Sequence, residues 1–283
     1  MEINGPDTGL FGPDSESWRV LRERSVLMGG LRALLMHAVH PVVADALART
    51  HLYQDDPWGR HERTLRLIFT VIFGTRSEAS AAVREINAAH RSVRGIDPVD
   101  GFPYTAGDPS PMLWVHASLE SSFLLFERLT VGSLDDASRQ RFHSESALVA
   151  NLLGLSRSRI PPDTDALENY ITETADSGLL RRTDSSRRLV DFMRRRERGI
   201  AGVKLWAVAF LALHTLPPQI RRLYDVDHRA LEQYGLATLC GAIRLARPVR
   251  PRSSRIIGPA RAAEARMRGE PAQVSETPIL ARQ

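Results

Sequence analysis

Apolar residues recur at three- and four-residue intervals through nearly the whole chain, and this spacing constrains the fold more than any other feature. Val83, Ile86, His90 and Val93 fall on one helical stripe, and Met112, Leu113, His116, Leu119 and Phe123 on another. Leu65, Ile68, Phe69 and Ile72 make a third. In a helix such positions meet on one face. No hairpin turn signal and no long run of alternating β-branched residues interrupts the pattern. The expectation is an all-α fold, a single multi-helix domain. Breakers and caps place helices at Ser17–His40 (softened at Gly29 and Gly30), from Asp56-Pro57 to Phe73-Gly74, and from Ser77 to Val93. Further helices are expected from Asp108-Pro109 to Leu129, from Ser133 to Leu153, from Pro161-Pro162-Asp163, and from Thr183-Asp184. An apolar helix follows Gly199, and two more cover Gln219–Tyr234 and Leu236–Ala246. The stretch GIDPVDGFPYTAGD reads as a loop.

The chain has 283 residues, 43% of them hydrophobic, which suffices for a real core. The longest apolar run, Leu205–Leu213, is shorter than the ~20 residues a membrane-spanning helix needs. Met1–Pro13 is polar and does not read as a signal peptide. Cys240 is the single cysteine, so no internal disulfide can form; the expected location is the cytoplasm. The net charge is +5, but residues 244–268 carry +7 and residues 1–243 sum to −1. The body is near neutral, which takes most of the support from a nucleic-acid reading of the whole protein. Residues 1–16 read as an N-terminal segment and 17–247 as the domain. The proline-punctuated stretch 248–283 reads as a basic, mobile tail, able at most to make peripheral contact with a membrane.

The pattern also excludes several chemistries. No glutamate is followed three residues later by a histidine, as the di-iron bundles require. Nucleotide-binding glycine loops, a nucleophile elbow and a covalent haem motif are missing as well. Cys240, in GLATLCGAI, reads as a small buried hydrophobe. Nine histidines remain. His90 and His116 each sit inside an apolar stripe, where a histidine is either satisfied by a core hydrogen bond or bound to a metal. Arg60 and Thr64 are neighbours on one helix face: a permanent cation beside a hydroxyl, or simply a solvated helix start. The arginine run Arg181–Arg198 suits an anionic group, or a solvated face.

Several of these pieces occur together in a specific order: His40-Pro41, then Asp56-Pro57 with Arg60 and Thr64, Phe73-Gly74, His90-x-x-Val93-x-Gly95, Tyr104-x-Ala106-x-Asp108-Pro109, and Trp114-Val115-His116. In this the chain resembles, over residues 17–235, the DUF2236 family of the mpaB oxygenase and the latex clearing protein, a rubber oxygenase. The resemblance implies a globin-like all-helical haem protein that binds haem b through one histidine and uses O2 on an apolar, isoprenoid or otherwise unsaturated substrate. It puts the iron ligand on His90, the distal catalytic pair on Arg60 and Thr64, and a haem-pocket role on His116. The rubber enzyme's lysine is replaced by Arg63, whose guanidinium keeps its proton and cannot ligate iron. No glutamate matches that enzyme's proposed base; Asp45, Asp55 and Asp56 are the nearest upstream acids. Two alternatives stay open: a haem sensor or carrier without turnover on the same scaffold, and a helical interaction module.

Overall fold

The computed structural model describes residues 6–49, 57–194, 199–226 and 230–270, though not the side chains of residues 57–63, 192, 194 and 199–201. Among the described residues the chain is predominantly α-helical. In chain order the helices begin with α1 (Glu16–Leu21), α2 (Gly29–Ala38), α3 (Pro41–Arg49), α4 (Pro57–Phe73) and α5 (Arg76–Ser92). Next come α6 (Pro109–Thr130), α7 (Asp136–Leu152), α8 (Thr164–Asp176), α9 (Asp184–Arg194) and α10 (Gly199–His214). The series ends with α11 (Pro218–Leu223), α12 (Ala230–Ala246), α13 (Arg252–Arg255) and α14 (Gly258–Met267).

The 22-residue α6 runs through the middle. It is buried on several sides at once, through Trp114, Ala117, Ser118, Ser122, Leu124 and Phe126. A helix so enclosed has few places for polar groups, and its hydroxyls turn inward. Ser118, Ser122 and Thr130 donate to the carbonyls of Trp114, Ser118 and Phe126 one turn back. Helix α2 packs closely on it because Gly29 has no side chain; a Cβ there would stand 2.7 Å from the carbonyl oxygen of Ser122. Arg32, one turn further along α2, is buried and donates to Ser122 Oγ (2.8 Å) and to the Thr215 carbonyl (3.0 Å). Burial lowers its pKa to about 10.

Two large apolar clusters flank α6. One gathers Trp18, Phe69, Ile72, Phe73, Leu124 and Phe142 from α1, α4, α6 and α7. The other gathers Leu35, Met36, Trp114, Leu167, Leu216 and Tyr224 from α2, α6, α8 and the region around α11. Cys240 is buried against Phe126 and Leu211, as a small hydrophobe would be, and burial raises its thiol pKa. No single helix among the described residues is long and apolar enough to cross a membrane. Arg181, Arg182, Arg187 and Arg188 of the arginine run are solvent-exposed.

Four expectations need correction. The single helix Ser17–His40 is broken into α1, a 3₁₀ turn at Val26–Met28 and α2. The single helix Gln219–Tyr234 is divided too, α11 stopping at Leu223 shortly before Asp225 adopts a positive φ of 51°. The loop after α5 contains a short antiparallel pair, β1 (Arg94–Ile96) with β2 (Pro103–Thr105), turned by Gly101 at φ 78°. Most importantly, residues 248–270 are not a mobile tail. Ile256 and Ile257 are 1% and 0% exposed, and Ala260 and Ala263 lie with them in the first cluster. The Arg24 N–H donates to the Arg255 carbonyl (2.9 Å), and the Ile257 N–H to the Arg22 carbonyl (3.0 Å). These bonds account for the break in the first helix: the Arg22 carbonyl and the Arg24 N–H pair with the C-terminal segment instead of continuing the helix.

Candidate functional site

Helices α4 and α5 form a hairpin closed by Gly74 and Thr75. The second helix starts there because Thr75 and Glu78 make a reciprocal cap, Glu78 N–H to Thr75 Oγ1 at 3.2 Å and Thr75 N–H to Glu78 Oε2 at 2.8 Å. The antiparallel register follows from the ion pair Arg66–Glu85 at 3.5 Å. Counting outward from that pair, residue 64 stands level with residue 87 and residue 60 with residue 91. The backbone of Arg60 and Thr64 therefore lies at the same end of the hairpin as His90. Thr64 is exposed. The side chains of Arg60 and Arg63 lie outside the described residues, as do Asp55 and Asp56.

His90 continues the inward stripe of α5. Ala79 and Ala82 are buried, Val83 and Ile86 pack against the first cluster, and His90 follows half-buried. Its Nδ1 is buried without a hydrogen-bond partner. Burial lowers the pKa of the ring, so it is neutral at pH 7 and keeps a lone pair. A neutral imidazole with an unmet polar atom, set in an apolar stripe, is a donor that would suit a haem iron.

The motif residues around this end are tied together. The Tyr104 hydroxyl donates to Asp45 Oδ2 (2.6 Å), which also accepts from Arg49 Nε (2.6 Å). Both groups press on Gly95; a Cβ there would stand 2.5 Å from the tyrosine ring and 2.6 Å from Arg49 Nε. The glycine thus lets β1, β2 and α3 meet. Burial and the hydrogen bond to Asp45 raise the Tyr104 pKa. Thr105 N–H and Oγ1 both donate to the Asp108 carboxylate, which fixes the start of α6. The Trp114 indole donates to the Met36 carbonyl (3.0 Å), and its ring lies 6.3 Å from that of His40. His40 and His37 are both buried, and burial brings each pKa down to about 4.

His116 belongs to a different group, one that sequence reading did not find. Glu120 is fully buried on α6 between two histidines. His143 Nδ1 lies 2.6 Å from its Oε1, and His143 Nε2 lies 2.9 Å from the Pro161 carbonyl. Both ring nitrogens of His143 thus face buried oxygens. Burial works against a charged His143, but Glu120 outweighs it and the His143 pKa is raised. His116 Nε2 stands 3.4 Å from Glu120 Oε2, and neither atom has a hydrogen-bond partner. Burial keeps His116 neutral, its pKa lowered. No hydrogen bond or ring contact joins it to His90. The spacing of His116 and Glu120, one helical turn, is the only local signal of this cluster; His143 comes from another helix.

Two uncharacterized mycobacterial proteins, from Mycobacterium bovis and Mycobacterium tuberculosis, are similar to this chain. Each is 27% identical over 202 residues, spanning 67% of this chain and 74% of the relative. No solved structure matches it. A family model described as "ER-bound oxygenase mpaB/B'/Rubber oxygenase, catalytic domain" matches residues 18–245. That span contains the hairpin, the Asp45–Tyr104 tie, the buried histidines and all of α6. The chain belongs to this oxygenase family.

Proposed function

We propose that the protein is a haem b-dependent oxygenase that uses O2 on an apolar, unsaturated or isoprenoid-like substrate, with His90 holding the iron. The observation that carries this reading is the state of His90: neutral, half-buried and with an unpartnered Nδ1 in an otherwise apolar stripe. Family membership supplies the reaction class. Bound haem would supply the oxygen and redox chemistry that no side chain of this chain can provide.

The chain's own groups have separable tasks. His90 gives one nitrogen lone pair, and its fixed place on α5 sets where that lone pair is offered. Val83 and Ile86 carry apolar surface up to it and limit water on that side. Arg60 and Thr64, at the same end of the hairpin, are assigned to the opposite side of the site. There they offer a permanent positive charge and a hydroxyl donor. His116 is assigned to the pocket wall, with the Glu120 carboxylate one turn along α6 beside it.

The test begins with haem reconstitution of the purified protein. Wild type should develop a strong Soret band, and His90→Ala should lose it. Arg60→Ala and Thr64→Ala should keep the band and slow O2 consumption with alkene substrates by ~10²–10³, the usual cost of one preorganised donor. A His90→Ala protein that retains the full band would overturn the assignment.

A further inference from the structure

Helix α12 is apolar on two faces, and the described residues of the chain cover one of them. Leu236, Leu239 and Ile243 pack with Cys240 against Phe126 and Leu211. Away from that contact, Leu231, Tyr234 and Leu245 are 79%, 73% and 80% exposed. With Val249 just past the helix, they are the four most exposed large apolar side chains among the described residues. Of the 17 residues of α12, Glu232 and Arg244 alone carry charge. We propose that this outer face is a dimer seam, closed by the same face of a second copy of the chain running antiparallel to it.

The spacing selects a helix as the partner. Leu231, Tyr234, Thr238, Gly241 and Leu245 follow one another at intervals of three, four, three and four. That is the rhythm of a coiled-coil seam, a narrower stripe than a globular core face needs. The seam is also its own complement. Turned end for end about Thr238, it sets Leu231 against Leu245 of the second copy and Tyr234 against Gly241. A Cβ added at Gly241 would meet nothing within 4 Å outside its own helix, so the space that an incoming tyrosine ring needs is open. Parallel pairing would put Tyr234 on Tyr234 and leave that space empty.

Charge gives the same direction. Residues 225–234 hold three acids and one arginine, and residues 241–252 hold four arginines and no acid. Antiparallel pairing sets the acidic end of each copy beside the basic end of the other. Parallel pairing sets like beside like, and an anionic membrane would attract one end and repel the other. The neighbouring helix extends the apolar surface. Trp206 of α10, 61% exposed, stacks on Phe210 at 5.4 Å, and a Cβ at Gly235 of α12 would stand 3.3 Å from that ring. A two-fold axis makes each contact twice and closes the pair, so the seam gives a dimer and no filament.

Sedimentation equilibrium of the full chain should show a species of twice 31.6 kDa in exchange with monomer. Tyr234→Glu and Leu245→Glu, both at exposed positions, should each weaken the association about tenfold or more, as losing a packed central contact does. Gly241→Leu is the sharper variant. It adds apolar surface but fills the place of the tyrosine, so the dimer should be lost while circular dichroism stays as in wild type. Phe102→Glu, on the β1–β2 hairpin, should leave the dimer intact. Direction is read from an equimolar mixture of Leu231→Cys and Leu245→Cys chains under mild oxidation. The mixture should cross-link, and neither variant alone should. A chain that is monomeric at every concentration overturns the proposal. So does a dimer that survives Gly241→Leu, or one that cross-links in either single variant. Flotation with vesicles of phosphatidylcholine and phosphatidylglycerol, kept or strengthened in Gly241→Leu, would give the face to a membrane and overturns it too. None of these outcomes involves haem, so the Soret test of His90 stands apart from them.

Discussion

Cutting the chain after Arg247 should unfold much of the protein under mild conditions. The removed segment carries Ile256 and Ile257, both fully buried, with Ala260 and Ala263 beside them. Burying one such isoleucine contributes ~1.5–3 kcal/mol, so the pair alone gives about 3–6 kcal/mol. The cut also strips the Arg24 N–H and the Arg22 carbonyl of their partners, and it removes Arg266, which donates to the Phe73 carbonyl (2.7 Å) and the Asp7 carbonyl (3.1 Å). Domains of this kind are stable by about 5–15 kcal/mol in total, so the loss is a large part of the whole. Ile257→Ala isolates one contribution without shortening the chain. A buried isoleucine cut to alanine costs ~2–5 kcal/mol. At about 2–4 °C per kcal/mol for a domain of this size, the melting temperature should fall by roughly 4–20 °C. Differential scanning calorimetry of wild type, truncation and point variant reads this directly. If both variants melt within about 2 °C of wild type, less than one kcal/mol is at stake and the segment does not belong to the core.

Three further outcomes follow from the buried polar groups and from Gly95. His37 and His40 hold pKa values of about 4 when folded and near 6.5 when unfolded, so the unfolded chain binds more protons between those values. Stability should therefore drop as pH falls from 6.5 towards 4, by up to about 3 kcal/mol per histidine; constant urea midpoints across that window would refute it. His143 has the opposite sign, its contribution being full below 6.5 and lost as pH rises through its elevated folded value. Glu120→Ala should cost about 1–3 kcal/mol, because it leaves a buried His143 nitrogen without its partner; a wild-type urea midpoint would show that the pair is idle. Gly95→Ala should cost about 1–3 kcal/mol by pressing a methyl into Tyr104 and Arg49, and a measured loss below that range would show that this contact yields.

The helical stripes were legible because they are local. α4, α5 and α6 begin and end within a few residues of where capping and periodicity put them. Even so, the cap of α5 is Thr75, not Ser77: Thr75-x-x-Glu78 is a capping-box spacing that outranks a lone serine. The position of His90 in an apolar stripe was equally local, and the structure keeps it there. What could not be read are features made by distant partners. Residues 22–25 have good helical spacing, but the Arg22 carbonyl and the Arg24 N–H are claimed by Ile257 and Arg255. The arginines and prolines of 248–270 suggested a solvated strand of chain. Only Ile256-Ile257 and the alanines spaced along α14 marked a face that the body would bury. Glu120 looked like one acid on a helix, because His143 lies 23 residues away on another element. The β1–β2 pair is too short for alternation to reveal.

The closure of residues 22–24 on residues 247–257 also sets a clock on the protein's making. Arg247 pairs with Glu23 across 224 residues. At ~5–20 residues per second, the ribosome delivers that partner roughly 10–45 s after Glu23 itself. Throughout that interval Trp18, Val20 and Leu21 have no Ile256 or Ile257 to cover them, and Glu23 has no arginine from the far end of the chain. Helix α1 is synthesised long before the segment that seals it. A nascent chain stalled before Ile257 therefore presents an apolar edge to chaperones and proteases that the finished protein never shows.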